Sequence, residues 1–227
     1  MIPIGDAEGR RSFPLVVYAL IAANVYVFVQ EVHAIDPDAF INAFAAIPYD
    51  VTHGVVLAPP SPPLAPLTVV TSMFMHGSWL HLGFNMLFLF VFGPAVEGLL
   101  GHLRFAAYYL LCGIAGGIAQ IAFDPGSHVP ALGASGAIAG VLGGYVVNFP
   151  FAAIRTIVPI GCFPLFLRLP ALLVIGVWAL TQFLSGFGTL SPRAAESQGG
   201  TAYFAHIGGF CAGVLLINFM RKRAAYR

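Results

Sequence analysis

Residues 133–149 read GASGAIAGVLGGYVVNF, and residues 202–220 read AYFAHIGGFCAGVLLINFM. Both stretches are apolar enough to lie in a lipid bilayer, yet the first contains Ser135 at its start and the second contains His206. Reactive polar side chains are costly inside a membrane, so their presence indicates a function. A serine hydroxyl becomes a good nucleophile when a histidine takes its proton. The two stretches therefore predict a catalytic pair, Ser135 and His206, within the membrane.

Small residues recur at every fourth position in both stretches. They are Gly136, Gly140 and Gly144 in the first, and Ala205, Gly209 and Gly213 in the second. Such stripes allow two membrane helices to pack almost backbone to backbone. Each stripe taken alone is explained by ordinary helix packing, but the coincidence of both stripes with a serine and a histidine favours catalysis.

The composition of the whole chain predicts an integral membrane protein. Of 227 residues, 59% are hydrophobic and 8% are charged, with a mean hydropathy of +0.87, whereas soluble domains carry about 25% charged residues. This length suits one compact domain over residues 1–227. A net charge of +1 with scattered arginines predicts no nucleic-acid partner. Three cysteines without a CxxC pair indicate neither a disulfide framework nor a thiolate metal site.

Six apolar stretches predict an all-α, polytopic bundle of six transmembrane helices, since one crossing needs about 20 apolar residues. The predicted spans are 13–30, 80–100, 105–123, 135–149, 169–186 and 202–220. The interval 31–79 is acidic and proline-rich, so we expect it to form a long external loop.

The distribution of positive charge predicts the orientation, because Lys and Arg near span ends stay in the cytoplasm. With six crossings, only Arg193 falls on one side, and the other side receives Arg10, Arg11, Arg104, Arg155, Arg168, Arg221, Lys222, Arg223 and Arg227. We therefore expect a multi-pass protein of the cell membrane, the inner membrane where there are two, with both termini in the cytoplasm. Ser135 should lie near the external side. The fourth span has about 15 residues, or roughly 22 Å, against about 30 Å of hydrocarbon. Ser135 should thus lie below the outer surface, in a water-filled pit.

Two side chains of the second span are candidate donors to a developing oxyanion. His81 and Asn85 are four residues apart and so share one helix face near the outer end. With the backbone amide of Ser135 they would stabilise negative charge that appears in the transition state. The alternative is that both side chains cap or cross-link the bundle.

Two further interpretations concern a metal site and an acidic residue. A zinc site of His76, His81 and His206 has no carboxylate beside it, so we predict no metal and no cofactor. Glu97 lies near the inner end of its span, where it would bind backbone amides or Arg104 rather than act as a catalytic acid.

The chain resembles the rhomboid family of intramembrane serine proteases. The residues that carry the resemblance are His76-Gly-Ser-Trp-Leu-His81-Leu-Gly-Phe-Asn85, Gly93 to Glu97 with Gly101, Gly133-Ala134-Ser135-Gly136 and Ala205-His206-Ile207-Gly208-Gly209. They extend from about residue 70 to the C-terminus. A GxSG motif alone is weak, whereas the combined set in this order is highly specific.

The resemblance implies a Ser135 nucleophile, a His206 general base and an oxyanion hole of His81, Asn85 and the Ser135 amide. It implies supporting roles for His76, Gly133, Gly136, Glu97 and Gly209, and substrates that are transmembrane proteins within the lipid bilayer. Some members carry an aromatic residue that stacks on the histidine, but this chain has Ala139 there, which leaves Phe210 or no side chain to steady His206. The alternative function is that of a non-catalytic, rhomboid-like protein that binds membrane helices. The oligomeric state stays open.

Overall fold

A computed structural model describes residues 1–6, 13–55, 57, 60–62, 64–160, 163–188 and 202–221. Six of its helices begin and end within three residues of the predicted spans. They are α1 (Leu15–Val32), α5 (Trp79–Leu100), α6 (His102–Phe123), α7 (Ser135–Asn148), α8 (Ala171–Gly188) and α9 (Tyr203–Met220). The prediction of a polytopic helical membrane protein is confirmed.

Helix length and composition divide these six helices into two groups. Within the described residues, α1, α5, α6 and α9 are long and apolar enough to cross a membrane. Helix α7 is a shorter apolar helix, and the Ala171–Gly186 part of α8 falls just below the length of the first group. The 14 residues of α7 rise roughly 21 Å, less than the hydrocarbon thickness. A helix of this length cannot reach both surfaces of the hydrocarbon core.

The core of the bundle is built around α7, in which every residue from Gly136 to Tyr145 is buried. A Cβ atom at Gly209 would fall on the carbonyl oxygen of Gly136, and one at Gly213 would fall on that of Gly140. Helices α7 and α9 thus meet backbone to backbone. The Tyr108 hydroxyl of α6 lies 2.6 Å from the Gly140 carbonyl oxygen and 3.0 Å from that of Gly213, which joins the three helices.

The interval predicted as a long loop contains short helices. They are α2 (Pro37–Phe44), α3 (Pro48–His53) and α4 (Thr68–Thr71), with 3-10 turns at Ala65–Leu67 and Ser72–Phe74. Backbone hydrogen bonds in both directions between Ala46 and Ala131 join this interval to the connection that leads into α7. The interval therefore braces the chain just before Ser135.

A three-stranded antiparallel sheet was not expected from the sequence. Its order is β1 (Ile2–Asp6), β2 (Ala153–Ile160) and β3 (Phe163–Pro170). Ile2 pairs with Ile157, and Arg155 pairs with Arg168. Because β2 follows α7, the sheet lies at the end of α7 opposite to Ser135, and β1 brings the residues that precede α1 to that same end.

Several basic residues on which the predicted orientation depends lie outside the described residues. Outside the described residues lie Arg10, Arg11, Arg193, Lys222, Arg223 and Arg227, and also Cys162. Of the other two cysteines, Cys112 is buried and Cys211 is exposed.

Candidate active site

The candidate catalytic side chains lie where three helices begin. His81 is in the first turn of α5, Ser135 is the first residue of α7, and His206 is in the first turn of α9. Helix α5 begins at this point because Ser78 caps it, with the Ser78 hydroxyl accepting a hydrogen bond from the His81 amide at 3.1 Å. Helix N-termini carry partial positive charge. The site is therefore suited to an anion.

Gly133 shapes the approach to Ser135. Its φ of +128° is a conformation that L side chains rarely adopt, and its amide donates to the Ser72 carbonyl oxygen at 2.9 Å. A Cβ at this position would lie 2.9 Å from His81 Cε1, 3.0 Å from His81 Nε2 and 3.6 Å from Ser135 Oγ. Glycine thus keeps open the space between the imidazole of His81 and the hydroxyl of Ser135.

Ser135 and His206 are in direct contact. The distance from Ser135 Oγ to His206 Nε2 is 2.7 Å, a short hydrogen bond between side chains that are 71 residues apart in the chain. The close packing of Gly136 against Ala205 and Gly209 allows this approach, since a Cβ at Gly136 would already lie 3.3 Å from the Ala205 carbonyl oxygen. Oxygen and nitrogen are placed for proton transfer.

A cavity of about 500 Å³ opens beside this pair. Its polar lining includes Ser78, His81, Asn85, Ser135 and His206. The Asn85 side chain is 7% exposed, and its Nδ2 has no hydrogen-bond partner among the described residues. Buried donors without a partner are rare in folded proteins. Asn85, which lines the cavity together with Ser135, therefore has an unused donor.

His76 lies behind His81 rather than in the cavity lining. Its imidazole is buried and faces the His81 ring edge-on, with 5.1 Å between ring centroids, and its backbone amide donates to Glu31 Oε2 at 3.1 Å. Burial, and to a lesser extent the neighbouring His81, lowers the pKa of His76 to about 3. A neutral His76 ring supports the position of the His81 ring.

Glu97 is remote from the cavity and binds the beginning of α1. Its two carboxylate oxygens accept hydrogen bonds from the amides of Val16 at 2.9 Å and Val17 at 2.8 Å. His102 also contacts the carboxylate. Arg104, the alternative partner, instead donates to the Met220 carbonyl oxygen at 3.3 Å. A carboxylate at a helix N-terminus stabilises it by charge and hydrogen bonding.

Two residues of α8 that the sequence analysis did not single out contact His206. Gln182 Oε1 lies 2.7 Å from His206 Nδ1, and the Trp178 ring lies 5.9 Å from the imidazole between centroids. The Phe210 ring packs on Trp178, with 6.4 Å between their centroids. The available signal was the pair Trp178 and Gln182, four residues apart, because Gln182 is a lone amide in an otherwise apolar part of the fifth span.

In the part of the chain that the structure describes, no group of three or more His, Cys, Asp or Glu side chains is placed to hold a metal ion. The arrangement provides a hydroxyl, a base that contacts it and side-chain donors around a cavity.

Comparison with known proteins identifies the family of this chain. The Rhomboid domain family model matches residues 65–223. The chain is 34% identical over 160 residues to "Rhomboid protein 1, mitochondrial" of Saccharomyces cerevisiae, covering 69% of this chain and 42% of that protein. It is 30% identical over 158 residues to "RHOMBOID-like protein 5" of Arabidopsis thaliana, covering 70% of this chain and 45% of that protein. It is 45% identical over 75 residues to "Rhomboid protease GluP" of Bacillus subtilis, covering 33% and 14%.

The matched region spans less than half the length of each of these relatives. The family-model match, residues 65–223, includes α5 to α9, and with them the serine, both candidate donors and the histidine. The chain is an integral membrane protein and belongs to the rhomboid family.

Proposed function

We propose that the protein is an intramembrane serine endopeptidase that cleaves transmembrane or membrane-adjacent segments of other proteins. The observation that carries this proposal is the 2.7 Å contact between Ser135 Oγ and His206 Nε2 at the edge of a cavity of about 500 Å³. The rhomboid family, in which one bacterial relative is named a protease, supports the same function.

In the first step, Ser135 Oγ forms a bond to the carbonyl carbon of the scissile peptide, and His206 Nε2 accepts the hydroxyl proton. The carbonyl oxygen becomes an oxyanion. We assign its stabilisation to Asn85 Nδ2, the His81 ring and the Ser135 amide. Donors that wait in place for a transition-state charge lower the barrier without reorganising.

In the second step, protonated His206 gives its proton to the leaving amine nitrogen, and the carbon–nitrogen bond breaks. An acyl ester remains on Ser135. A water molecule then attacks the ester while His206 takes its proton, and the return of that proton to Ser135 Oγ releases the new carboxyl end. One base thus serves both halves of the reaction.

The substrate has to present an extended backbone to Ser135, because a helix hides its carbonyl groups in its own hydrogen bonds. Membrane segments that unwind easily, with small or helix-breaking residues near the cut, fit this requirement. We further propose that both termini lie in the cytoplasm and that the cavity opens to the external side of the cell membrane, as the positive charges indicate.

Labelling with a fluorophosphonate tests the proposal directly, because this reagent bonds covalently to an activated serine. We expect the intact chain in detergent to be labelled and to cleave a model transmembrane substrate, and Ser135→Ala and His206→Ala each to lose both properties. Circular dichroism checks that helical content is kept. A chain that binds membrane helices but is neither labelled nor active would be the non-catalytic rhomboid-like protein. Label that persists in Ser135→Ala would assign the reaction to another residue.

A further inference from the structure

Both ring nitrogens of His206 contact a polar side chain. While Nε2 faces Ser135 Oγ at 2.7 Å, Nδ1 lies 2.7 Å from Gln182 Oε1. A neutral imidazole carries one proton, so a base that accepts through Nε2 must hold that proton on Nδ1. The group that faces Nδ1 therefore has to be an acceptor, and an amide oxygen is one.

The orientation of the Gln182 amide follows from its other end. Gln182 Nε2 lies 3.2 Å from Thr181 Oγ1, and Thr181 Oγ1 donates its own proton to the Trp178 carbonyl oxygen at 2.6 Å. Since that hydroxyl proton is used, Thr181 Oγ1 can only accept from Gln182. The amide NH2 must then face Thr181, and the amide oxygen must face His206.

We propose that Gln182 is the positioning residue of the base: its Oε1 accepts the Nδ1 proton of His206 and so holds the imidazole in the tautomer and orientation that can deprotonate Ser135. The proposal rests on the protease function proposed above. A neutral amide suits a membrane-embedded position, where a carboxylate would be costly to bury. Trp178, one turn earlier on α8, packs against the same ring and limits its rotation.

The inference makes α8 part of the catalytic arrangement. Ser135 is on α7 and His206 is on α9, but Gln182 and Trp178, which both contact the imidazole, belong to α8. Ala139, which is buried on α7, is too small to take that role. The base is therefore oriented by a helix that carries neither catalytic group.

The first test measures the tautomer of His206 by NMR of the chain labelled with 15N-histidine. The His206 signals are assigned as those that disappear in His206→Ala. We expect His206 to carry its proton on Nδ1 in the intact chain and still in Ser135→Ala, where the serine donor is gone. In the double variant Ser135→Ala/Gln182→Met, we expect a mixture of both tautomers. A proton on Nε2 in the intact chain, or the same tautomer in both variants, would overturn the proposal.

Kinetics gives the second test. Gln182→Met keeps the length and shape of the side chain but removes the acceptor. We expect kcat to fall roughly 10²-fold with KM unchanged. In serine proteases whose acceptor is a carboxylate, the wrong histidine tautomer lowers kcat about 10⁴-fold. Leu184→Met, at an exposed position of the same helix, is the matched control and should keep the intact rate. A kcat for Gln182→Met within twofold of this control would refute the positioning role.

Gln182→Glu separates positioning from simple packing. This variant restores an acceptor, so activity should exceed that of Gln182→Met. Its charge also favours the imidazolium, which should move the acidic limb of the kcat/KM profile to higher pH. Among the described residues, His81 and Tyr203 are the other titratable groups near His206, and both stay in every variant. An unmoved profile with no rescue would contradict the proposal.

Absent labelling of the intact chain would refute the protease function, whereas the tautomer measurement would still test the Gln182 contact.

Discussion

At the scale of single residues, Asn85 carries the most informative polar atom of the cavity. An unpaired buried donor costs about 1–3 kcal/mol, so a folded protein keeps one only where something else depends on it. Asn85 lines the same cavity as Ser135, and its buried Nδ2 has no partner among the described residues. A donor that is free in the resting protein and engaged at the transition state contributes to rate rather than to substrate binding.

We therefore expect Asn85→Ala to lower kcat by roughly 10²-fold with little change in KM. His81→Ala should cause a similar loss, with some loss of stability as well because His76 packs against the His81 ring. Asn148→Ala is a suitable control, since that amide binds the Gly144 carbonyl oxygen at the other end of α7. Cleavage of a transmembrane peptide measures all three. Unchanged rates for Asn85→Ala, His81→Ala and their double variant would contradict the oxyanion assignment.

At the scale of elements, the contact between α7 and α9 determines whether Ser135 and His206 can meet. Gly209 and Gly136 touch through backbone atoms, with no side chain between them. A helix pair of this kind is held by packing and not by hydrophobic burial, because lipid is as apolar as the helix surface. Small displacements of α9 therefore move the base relative to its serine.

Gly209→Ala should separate the two helices, because the new methyl would fall on the Gly136 carbonyl oxygen. We expect a loss of about 1–3 kcal/mol in stability from overpacking, together with a large loss of activity. Gly176→Ala on α8 is the matched control, since its Cβ would meet nothing within 4 Å; it should be neutral or stabilise by up to about 1 kcal/mol. Thermal unfolding in detergent compares the two variants. Equal stability and activity would show that α7 and α9 tolerate a wider spacing.

At the scale of the whole molecule, the two ends of the bundle have different characters. One end holds the cavity and the starts of α5, α7 and α9, and the other holds the three-stranded sheet with Arg155 and Arg168. Basic residues are retained in the cytoplasm. On that rule we propose that the sheet is cytoplasmic and that the cavity opens to the outside.

Cysteine accessibility tests this orientation in cells that carry a variant in which Cys112, Cys162 and Cys211 are replaced. Gly126→Cys, in the exposed connection before α7, should react with bulky, membrane-impermeant reagents added from outside. Ser135→Cys should react only with small reagents, because it lies within the cavity. Arg155→Cys should react only after permeabilisation. Labelling of position 135 from the cytoplasmic side alone would reverse the proposed topology.

The membrane helices and the motif residues were predictable because their signals are local. Hydropathy marks a span without knowledge of its neighbours, and Ser135, His206, His81 and Asn85 stand out as polar residues in apolar surroundings. The partners of Glu97 were foreseen only in kind, as backbone amides, since nothing in the sequence connects Glu97 to Val16 and Val17.

Features that depend on distant partners could not be predicted. β1 is only five residues long and finds its partner beyond four membrane helices, while Pro159 and Pro164 in β2 and β3 indicate a loop rather than a sheet. The short helices between α1 and α5 lie among prolines that break any longer periodic pattern. Gln182 was missed because a single amide has no motif of its own, and its meaning depends on facing His206.

The pairing of β1 with β2 also has a consequence for biosynthesis. The ribosome makes β1 first, and then α1, α5, α6 and α7, before Ile157 is available to pair with Ile2. At about 5–20 residues per second, β1 waits roughly eight to thirty seconds for its partner. The sheet can therefore form only after α7, the helix that carries Ser135, has been synthesised. In shorter nascent chains β1 has no β2 to pair with.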